Sequence, residues 1–189
     1  MKRNEKLKMV VFSGVMAAIV WAVTLLKFPL LGSNVHFGNA MCLLGGLLFG
    51  PVTGGMSAGI GSMLYDLVSG GYGIDEAIIT LLSKGAMGAV AGMIAHWGAR
   101  HSGEGHVRNI LASATGAATY VGLYMLKTLV YQHFVYGLPW DGTFVAMGLR
   151  LPASLINATV AVIAAPMLAA AIRPSLVRAG VIKGKAANG

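Results

Sequence analysis

The sequence predicts an all-α integral membrane protein with six transmembrane helices. Its 189 residues are 56% hydrophobic and 11% charged, with a mean hydropathy of +0.73, whereas a soluble domain has about 25% charged residues. Residues 28–65 carry no charge. Because a helix needs roughly 20 apolar residues to cross about 30 Å of hydrocarbon, this run is long enough for two crossings.

Basic residues set the orientation that we predict for the bundle. The net charge of +8 is accounted for by residues 1–8, 98–108 and 173–189. Basic loops stay in the cytoplasm, so both termini and the 98–108 loop are expected to face inward. Charges divided in this way do not form the single basic patch of a nucleic-acid-binding protein. The predicted organisation is a basic N-terminus, 1–8, a membrane domain, 9–173, and a basic tail, 174–189.

The first span is predicted at residues 9–26. A basic start followed by small residues also suits a secretory signal, but the next apolar run follows closely, so we interpret the segment as a retained helix. An outer loop, 27–38, separates it from span two at 39–49. About eleven helical residues reach only about 17 Å. Span two must therefore begin deep, tilt, or form a re-entrant hairpin.

Span three is predicted at residues 51–68, with Pro51 in its first turn, where the missing amide hydrogen is not needed. A glycine-rich outer turn follows at 69–73. Span four is predicted at 76–97. Asp75 precedes it at the position where a carboxylate accepts hydrogen bonds from the free amides of the first turn, so we expect Asp75 to be its N-cap.

Spans five and six are predicted at residues 109–132 and 142–172. Asp141 is the expected N-cap of span six. Pro152 is expected to bend this span, because proline lacks the amide hydrogen that a helix interior needs. Six crossings place both basic ends of the chain on one side of the membrane, as the charge distribution requires.

Four charged residues fall within the predicted spans and are the first functional candidates: Asp66, Lys84, Lys127 and Arg150. Each costs roughly 2.5–3.5 kcal/mol on insertion scales, so each must face protein or water. Asp66 and Lys84 lie near the same outer end of spans three and four. They form either a structural ion pair that joins these spans or direct contacts to a ligand, and the sequence leaves both interpretations open.

On span five, Tyr120, Tyr124, Lys127 and Tyr131 are spaced at i, i+4, i+7 and i+11, which places them on one helix face. Tyrosines at headgroup level form an interfacial belt, and this interpretation suits Tyr131. Tyr120 lies about 16 Å deeper by helical rise. We therefore favour a cavity wall, since aromatic rings with a few polar groups are typical of small-molecule sites.

On span six, Arg150, Ser154 and Asn157 also share one face. Asn157 could instead bond a neighbouring helix, but Arg150 on the same face favours a polar cavity. Residues at the predicted outer ends that could complete or cover it are His36, Asn39, Gln132 and Trp140. The sequence thus predicts a pocket that opens outward with a surplus of positive charge, suited to an anionic or strongly hydrogen-bonding organic molecule.

No metal site or enzymatic motif is predicted. Cys42 is the single cysteine, and His96, His101 and His106 do not share a helix face at their spacing of five. The sequence has no phosphate-binding loop with its lysine and no nucleophile elbow. Any energy for transport must therefore come from another protein.

Three segments resemble a known family. Residues 39–51, 54–67 and 83–88 are similar to the substrate-binding S component of an energy-coupling factor (ECF) vitamin transporter, and the likeness extends over 9–173. This resemblance implies a six-helix, multi-pass protein of a prokaryotic plasma membrane that binds a vitamin or vitamin precursor near its outer face. It also implies a transmembrane coupling subunit and two cytoplasmic ATPases, which use ATP, while this chain binds no cofactor.

The resemblance also assigns a role to a ridge of small residues on span one. Gly14, Ala18 and Ala22 are spaced by four, which allows close contact with another helix. In the family, small residues on this span meet the coupling subunit, so these three are the predicted partner-binding residues.

The predicted substrate-binding residues come from the polar helix faces and the outer ends: Asn39, Lys84, Tyr120, Tyr124, Lys127, Trp140, Arg150 and Asn157. The preferred cargo is a small water-soluble vitamin or precursor of the hydroxymethylpyrimidine or pyridoxine kind. Riboflavin and pantothenate are open alternatives.

Two other functions are compatible with the sequence. A solitary membrane facilitator would carry its solute without ATP. A small membrane enzyme would use Asp66, His36 or the histidines near the 98–108 loop to convert a lipid or metabolite. The sequence has no paired acid and base at a useful spacing, which argues against the enzyme.

Overall fold

The computed structural model describes residues 3–30, 33–97 and 105–182. Most of the predicted basic loop and the end of the basic tail, at 98–104 and 183–189, lie outside the described residues, so the inward orientation of both stays a prediction. The described part of the chain contains six helices and one β-hairpin. The all-α class is confirmed in its main features, and the hairpin is an addition that the sequence did not predict.

The elements follow one another along the chain with short connections. The helices are α1 Arg3–Thr24, α2 Gly38–Phe49, α3 Pro51–Leu64, α4 Ile74–Ala95, α5 His106–Leu129 and α6 Trp140–Arg178. The strands of the hairpin are β1 Lys27–Leu30 and β2 Ser33–His36. Two helices continue as π-helical turns, α3 through Tyr65–Gly70 and α5 through Val130–Val135. Among the described helices, α1, α4 and α6 are long and apolar enough to cross a membrane.

The two predicted N-caps are wrong. Helix α4 begins at Ile74, so Asp75 lies inside the first turn and Gly73 precedes the helix without a side-chain cap. Asp75 accepts a hydrogen bond from the Tyr131 hydroxyl at 2.7 Å instead. Asp141 likewise lies in the first turn of α6. Carboxylates in a first turn still interact favourably with the helix dipole.

Helix α6 continues unbroken through Pro152. It contains 39 residues, which corresponds to about 58 Å at 1.5 Å per residue. Neighbouring helices can satisfy the carbonyl groups that an internal proline leaves free. The helix is therefore longer than the hydrocarbon layer is thick, and it projects beyond the other helices or crosses at a tilt.

The segment predicted as an outer loop is the β-hairpin. Its strands are antiparallel, and Lys27 stands opposite His36. Helix α2 follows directly and packs against α1, α3, α4 and α6. All but two of its 12 residues are buried. A helix that is apolar and covered on all sides belongs to a protein interior, so the short span two is the central helix of this bundle.

Glycines bring α2, α3 and α4 into backbone contact. A Cβ atom on Gly46 would overlap the carbonyl oxygen of Gly88, and one on Gly88 would overlap the carbonyl group of Gly54. Gly54 in turn lies against the backbone of Gly46. The turn between α2 and α3 is made at Gly50, whose φ of +86° favours glycine. Small residues allow this close approach where lipid supplies no hydrophobic driving force.

The ridge of small residues on α1 faces away from the bundle. Met16, Ala17 and Val20 form the buried face of α1, and Gly14, Ala18 and Ala22 are exposed. This is the orientation that the predicted contact with a partner requires.

Candidate functional site

A polar cavity lies where α3 and α5 end and α4 and α6 begin. Its volume is about 250 Å³, and all of its lining residues are charged, polar or aromatic. In the orientation predicted from the basic segments, this is the outer end of the bundle. A polar cavity inside a bundle whose core is otherwise apolar indicates a site for a hydrophilic molecule.

Six charged side chains line the cavity, four basic and two acidic: Lys27, Asp66, Glu76, Lys84, Lys127 and Arg150. The surplus of positive charge predicted from the sequence is present. Lys84 and Asp66 are 4% and 8% exposed, so both charges are held inside the protein. Lys27, at the start of the hairpin, is a lining residue that was not predicted from the sequence.

Aromatic rings form one wall. Tyr120 and Tyr124 of α5 stack with their ring centroids 6.0 Å apart, and the Lys84 ammonium lies 3.7 Å from the centroid of the Tyr120 ring. The predicted cavity wall on α5 therefore contains Tyr120, Tyr124 and Lys127. Tyr131 lies outside the lining, where its hydroxyl binds Asp75. Tyr65 and Tyr72 add two further rings, which the sequence analysis missed.

The predicted ion pair between Asp66 and Lys84 does not form. The Lys84 ammonium instead donates a hydrogen bond to Asn39 Oδ1, while the Thr80 hydroxyl is a hydrogen-bond donor to the Asp66 carboxylate. The reason is the central position of α2, which brings Asn39 against α4. Asn39 is 1% exposed and stands behind Lys84, outside the cavity lining.

Lys127 forms an ion pair with Glu76. Glu76, Thr80 and Lys84 line the cavity from one face of α4, since they are spaced by four residues. Of these three residues, only Lys84 was predicted to line the cavity. The pair joins α4 to α5 at the mouth of the cavity.

Asn157 holds the hairpin. Its Oδ1 accepts a hydrogen bond from the His36 backbone amide at 2.8 Å, and its Nδ2 donates to the Asn34 carbonyl at 2.7 Å. His36 Nδ1 accepts from the Gly38 amide at 3.1 Å. Burial, with the charges of Lys84 and Lys27, lowers the pKa of His36 to about 3, so its imidazole is neutral at physiological pH.

Trp140 is not brought to the cavity. Its ring stacks on His133 with the centroids 3.8 Å apart and lies near Phe144, and 49% of its surface is exposed. It lies outside the lining. The first turn of α6 places Trp140 on a different face from Arg150 and Asn157. Its position near the predicted outer end of span six was therefore not sufficient to predict that its side chain lines the cavity.

We expect Asn157→Leu to release the hairpin. The change removes two hydrogen bonds to backbone groups, each contributing about 1 kcal/mol, so the His36 amide should exchange its hydrogen roughly ten to a hundred times faster. Hydrogen–deuterium exchange of the hairpin measures this. Ser154→Ala, one turn away on the same face, is the matched control. Unchanged exchange in Asn157→Leu would show that strand pairing alone holds the hairpin.

Comparisons with known proteins give a family by sequence and a similar fold by structure. The sequence model of the family described as "ECF-type riboflavin transporter, S component" matches residues 4–174. The structure resembles that of the S component of a bacterial ECF transporter, with a TM-score of 0.62 and 19% identity, over 90% of this chain and 98% of that one. An uncharacterized protein of Pyrococcus woesei is 36% identical over 77 residues. That match spans 40% of this chain and half the length of the relative.

Proposed function

The chain belongs to the family of the S components of ECF-type riboflavin transporters, and we propose that its cavity captures a small water-soluble vitamin or vitamin precursor. Membership makes the protein a membrane-embedded, substrate-binding transport component and not an enzyme. The family also implies association with a transmembrane coupling subunit and ATPases.

The observation that carries the proposal is the polar lining. Sites for drug-sized ligands enclose about 300–1,000 Å³ and are mostly apolar. Here the volume is about 250 Å³ and the lining is charged, polar and aromatic. These properties favour a single small ring over a large tricyclic molecule such as riboflavin. A hydroxymethylpyrimidine or a pyridoxine has this size and polarity.

The lining also supports a flat aromatic ligand. The stacked pair Tyr120 and Tyr124 offers ring faces on α5, and aromatic pairs contribute about 0.5–1.5 kcal/mol beyond the area that they bury. Lys84, Lys127 and Arg150 surround these rings with positive charge. A flat nitrogen heterocycle with hydrogen-bonding substituents would satisfy both features.

Ligand capture is tested by purifying the protein in mild detergent and identifying retained small molecules by mass spectrometry. We expect one vitamin-sized compound, and we expect the same compound to raise the melting temperature when it is added back. A protein that retains nothing and is not stabilised by any of hydroxymethylpyrimidine, pyridoxine, riboflavin or pantothenate would contradict the proposal. Uptake into liposomes by this chain alone, without ATP, would favour a solitary facilitator.

The exposed ridge on α1 is our proposed contact with the coupling subunit. Gly14, Ala18 and Ala22 are exposed, and a Cβ atom on Gly14 would meet no atom within 4 Å. Small side chains without a partner in the bundle leave room for the backbone of another helix.

We expect the triple change of Gly14, Ala18 and Ala22 to leucine to abolish copurification with the coupling subunit and to leave ligand binding unchanged. The leucine side chains would hold the partner helix away, whereas the cavity lies on the opposite face of α1. A matched control is available on α5, where Ala114, Ala118 and Gly122 form a second exposed ridge with the same spacing. Equal loss of assembly in both triple variants would contradict the contact on α1.

A further inference from the structure

The connection between α5 and α6 forms an aromatic tip, residues 131–145, that contributes nothing to the lining of the cavity. The rings of His133, Trp140 and Phe144 follow one another in a stack, with successive centroids 3.8 and 6.0 Å apart. The Phe134 ring meets His133 edge-on at 4.8 Å. The tip is therefore an ordered cluster of rings with no part in the proposed capture site.

The surface of the tip is apolar and exposed. Residues 128–149 carry a single charge, at Asp141. Soluble proteins rarely expose a contiguous apolar patch unless a partner covers it, so bulk water is not the environment that suits this surface. Six large side chains of the tip are 49–69% exposed: Phe134, Val135, Tyr136, Trp140, Phe144 and Val145.

The tip is also too polar for the hydrocarbon interior of a membrane. The π-helical turn Val130–Val135 ends one helix, and the chain reverses at Gly137, whose φ is +69°. Helix ends leave backbone groups without a helical partner, and hydrocarbon offers them no hydrogen bond. Asp141 is exposed, and a charge in hydrocarbon is costly. The headgroup layer accommodates apolar rings together with these polar groups.

The position of the tip along α5 agrees with this layer. About 20 helical residues cross the hydrocarbon, and a count from Arg108, at the expected inner end of α5, ends near Thr128. Tyr131 and Phe134 then lie roughly 5 and 9 Å beyond the hydrocarbon by helical rise. The headgroup layer is roughly 5–8 Å thick on each side, so the tip lies at its depth.

The base of the tip is joined to the mouth of the cavity. The Tyr131 hydroxyl donates to Asp75 at 2.7 Å, and Lys127, one turn earlier, pairs with Glu76. Both acidic residues lie in the first turn of α4. The depth of the tip in the membrane therefore sets the depth at which α4 and α5 border the cavity.

We propose that the tip is a membrane anchor whose partner is the lipid headgroup layer on the side of the cavity mouth. Phe134, Trp140 and Phe144 insert among the headgroups, because aromatic side chains favour membrane–water interfaces. The His133 ring, whose Nδ1 donates to the Leu138 carbonyl at 2.9 Å, holds the Trp140 ring in place. The anchor fixes the depth of the mouth, and it gives a role to Trp140, which the cavity does not include.

The depth of Trp140 is measured by fluorescence. Trp21→Phe and Trp97→Phe leave Trp140 as the single tryptophan of the sequence. The protein is reconstituted into phosphatidylcholine vesicles with a nitroxide quencher on the headgroup, near the start of the acyl chain or near its end. The headgroup and shallow quenchers should reduce the emission at least roughly twofold more than the deep quencher. If this variant does not fold, the difference between the wild type and Trp140→Phe gives the same signal.

A tryptophan at a known depth calibrates the quenchers. Val15 is 53% exposed in the middle of the first span. Val15→Trp, in a chain whose three tryptophans are replaced by phenylalanine, should be quenched most by the deep quencher.

Two pairs of substitutions test whether the rings hold the tip. Phe134→Ser with Phe144→Ser should make Trp140 at least roughly twofold more accessible to iodide, a quencher that stays in water. The matched pair is Val107→Ser with Leu111→Ser, at the other end of α5. It removes side chains that are 71% and 58% exposed, against 69% and 58% for the two phenylalanines, and it should leave Trp140 unchanged.

A Trp140 that iodide quenches and no lipid quencher reaches would lie in water, which would overturn the anchor and favour a soluble protein as the partner of the tip. Strongest quenching by the deep quencher would place the tip in hydrocarbon and would also overturn it. So would unchanged iodide access in the phenylalanine pair, since the rings would then not hold the tip. None of these measurements uses a ligand, so ligand capture is judged by its own test.

Discussion

Replacing Gly88 by alanine should lower the apparent melting temperature of the purified protein by roughly 5 °C or more. The new Cβ atom would overlap the carbonyl group of Gly54 and approach the Ala58 side chain to 3.0 Å. Backbone atoms of a packed helix cannot move aside as a flexible side chain does, and overpacking of this kind costs about 1–3 kcal/mol or more. Because Gly46, Gly54 and Gly88 form one contact, α2 and its Asn39 would shift as well.

The matched control is Gly148→Ala on α6. A Cβ atom there would meet nothing within 4 Å, and alanine favours a helix by about 1 kcal/mol over glycine. Gly88→Ala should therefore lower the melting temperature, whereas Gly148→Ala should raise it or leave it unchanged. Differential scanning fluorimetry in detergent measures both. Equal, small effects would show that the helices α2, α3 and α4 are not in backbone contact.

Replacing Lys84 by methionine should reduce both stability and ligand binding. Asn39 is 1% exposed, and its Nδ2 has no hydrogen-bond partner among the described residues. Without Lys84, its Oδ1 would also be unsatisfied. A buried acceptor left without its donor costs about 1–3 kcal/mol. The cation–π contact between the Lys84 ammonium and the Tyr120 ring would be lost in the same variant.

A double variant separates the two effects. Adding Asn39→Leu to Lys84→Met replaces both partners by apolar groups of similar size, which is nearly neutral for folding, so most of the melting temperature should return. Binding of the retained ligand should stay at least roughly tenfold weaker, because the cavity lacks one positive charge. Asn39→Asp, which keeps an acceptor for Lys84, is the control for stability. Recovery of binding together with stability would show that Lys84 acts on the ligand only by supporting α2.

Much of the cavity was predictable where a single helix carries its residues. Tyr120, Tyr124 and Lys127 share a face because 3.6 residues make one turn, and the structure places all three in the lining. Arg150 and Asn157 follow the same rule on α6. Applied to α4, it would also have identified Glu76 and Thr80, eight and four residues before Lys84.

Predictions that depended on contact between helices were less successful. Asp66 and Lys84 lie near the same end of neighbouring helices, but Asn39 of α2 takes the ammonium. Asn157 lies in the cavity lining, as its helix face predicted, but its amide binds the backbone of a hairpin that was predicted as a loop. Trp140 was assigned to the cavity because of its position along the chain, and the rotation of the first turn of α6 directs it elsewhere.

The sequence by itself determined the class of this protein, its polar helix faces and its family, because hydrophobicity and helical spacing are local properties that can be summed along the chain. Only the tertiary structure decided how the charges are paired. Lys84 meets Asn39 across 45 residues, Lys127 meets Glu76 across 51, and Asn157 meets His36 across 121. Such pairs depend on which helices become neighbours and on their rotation.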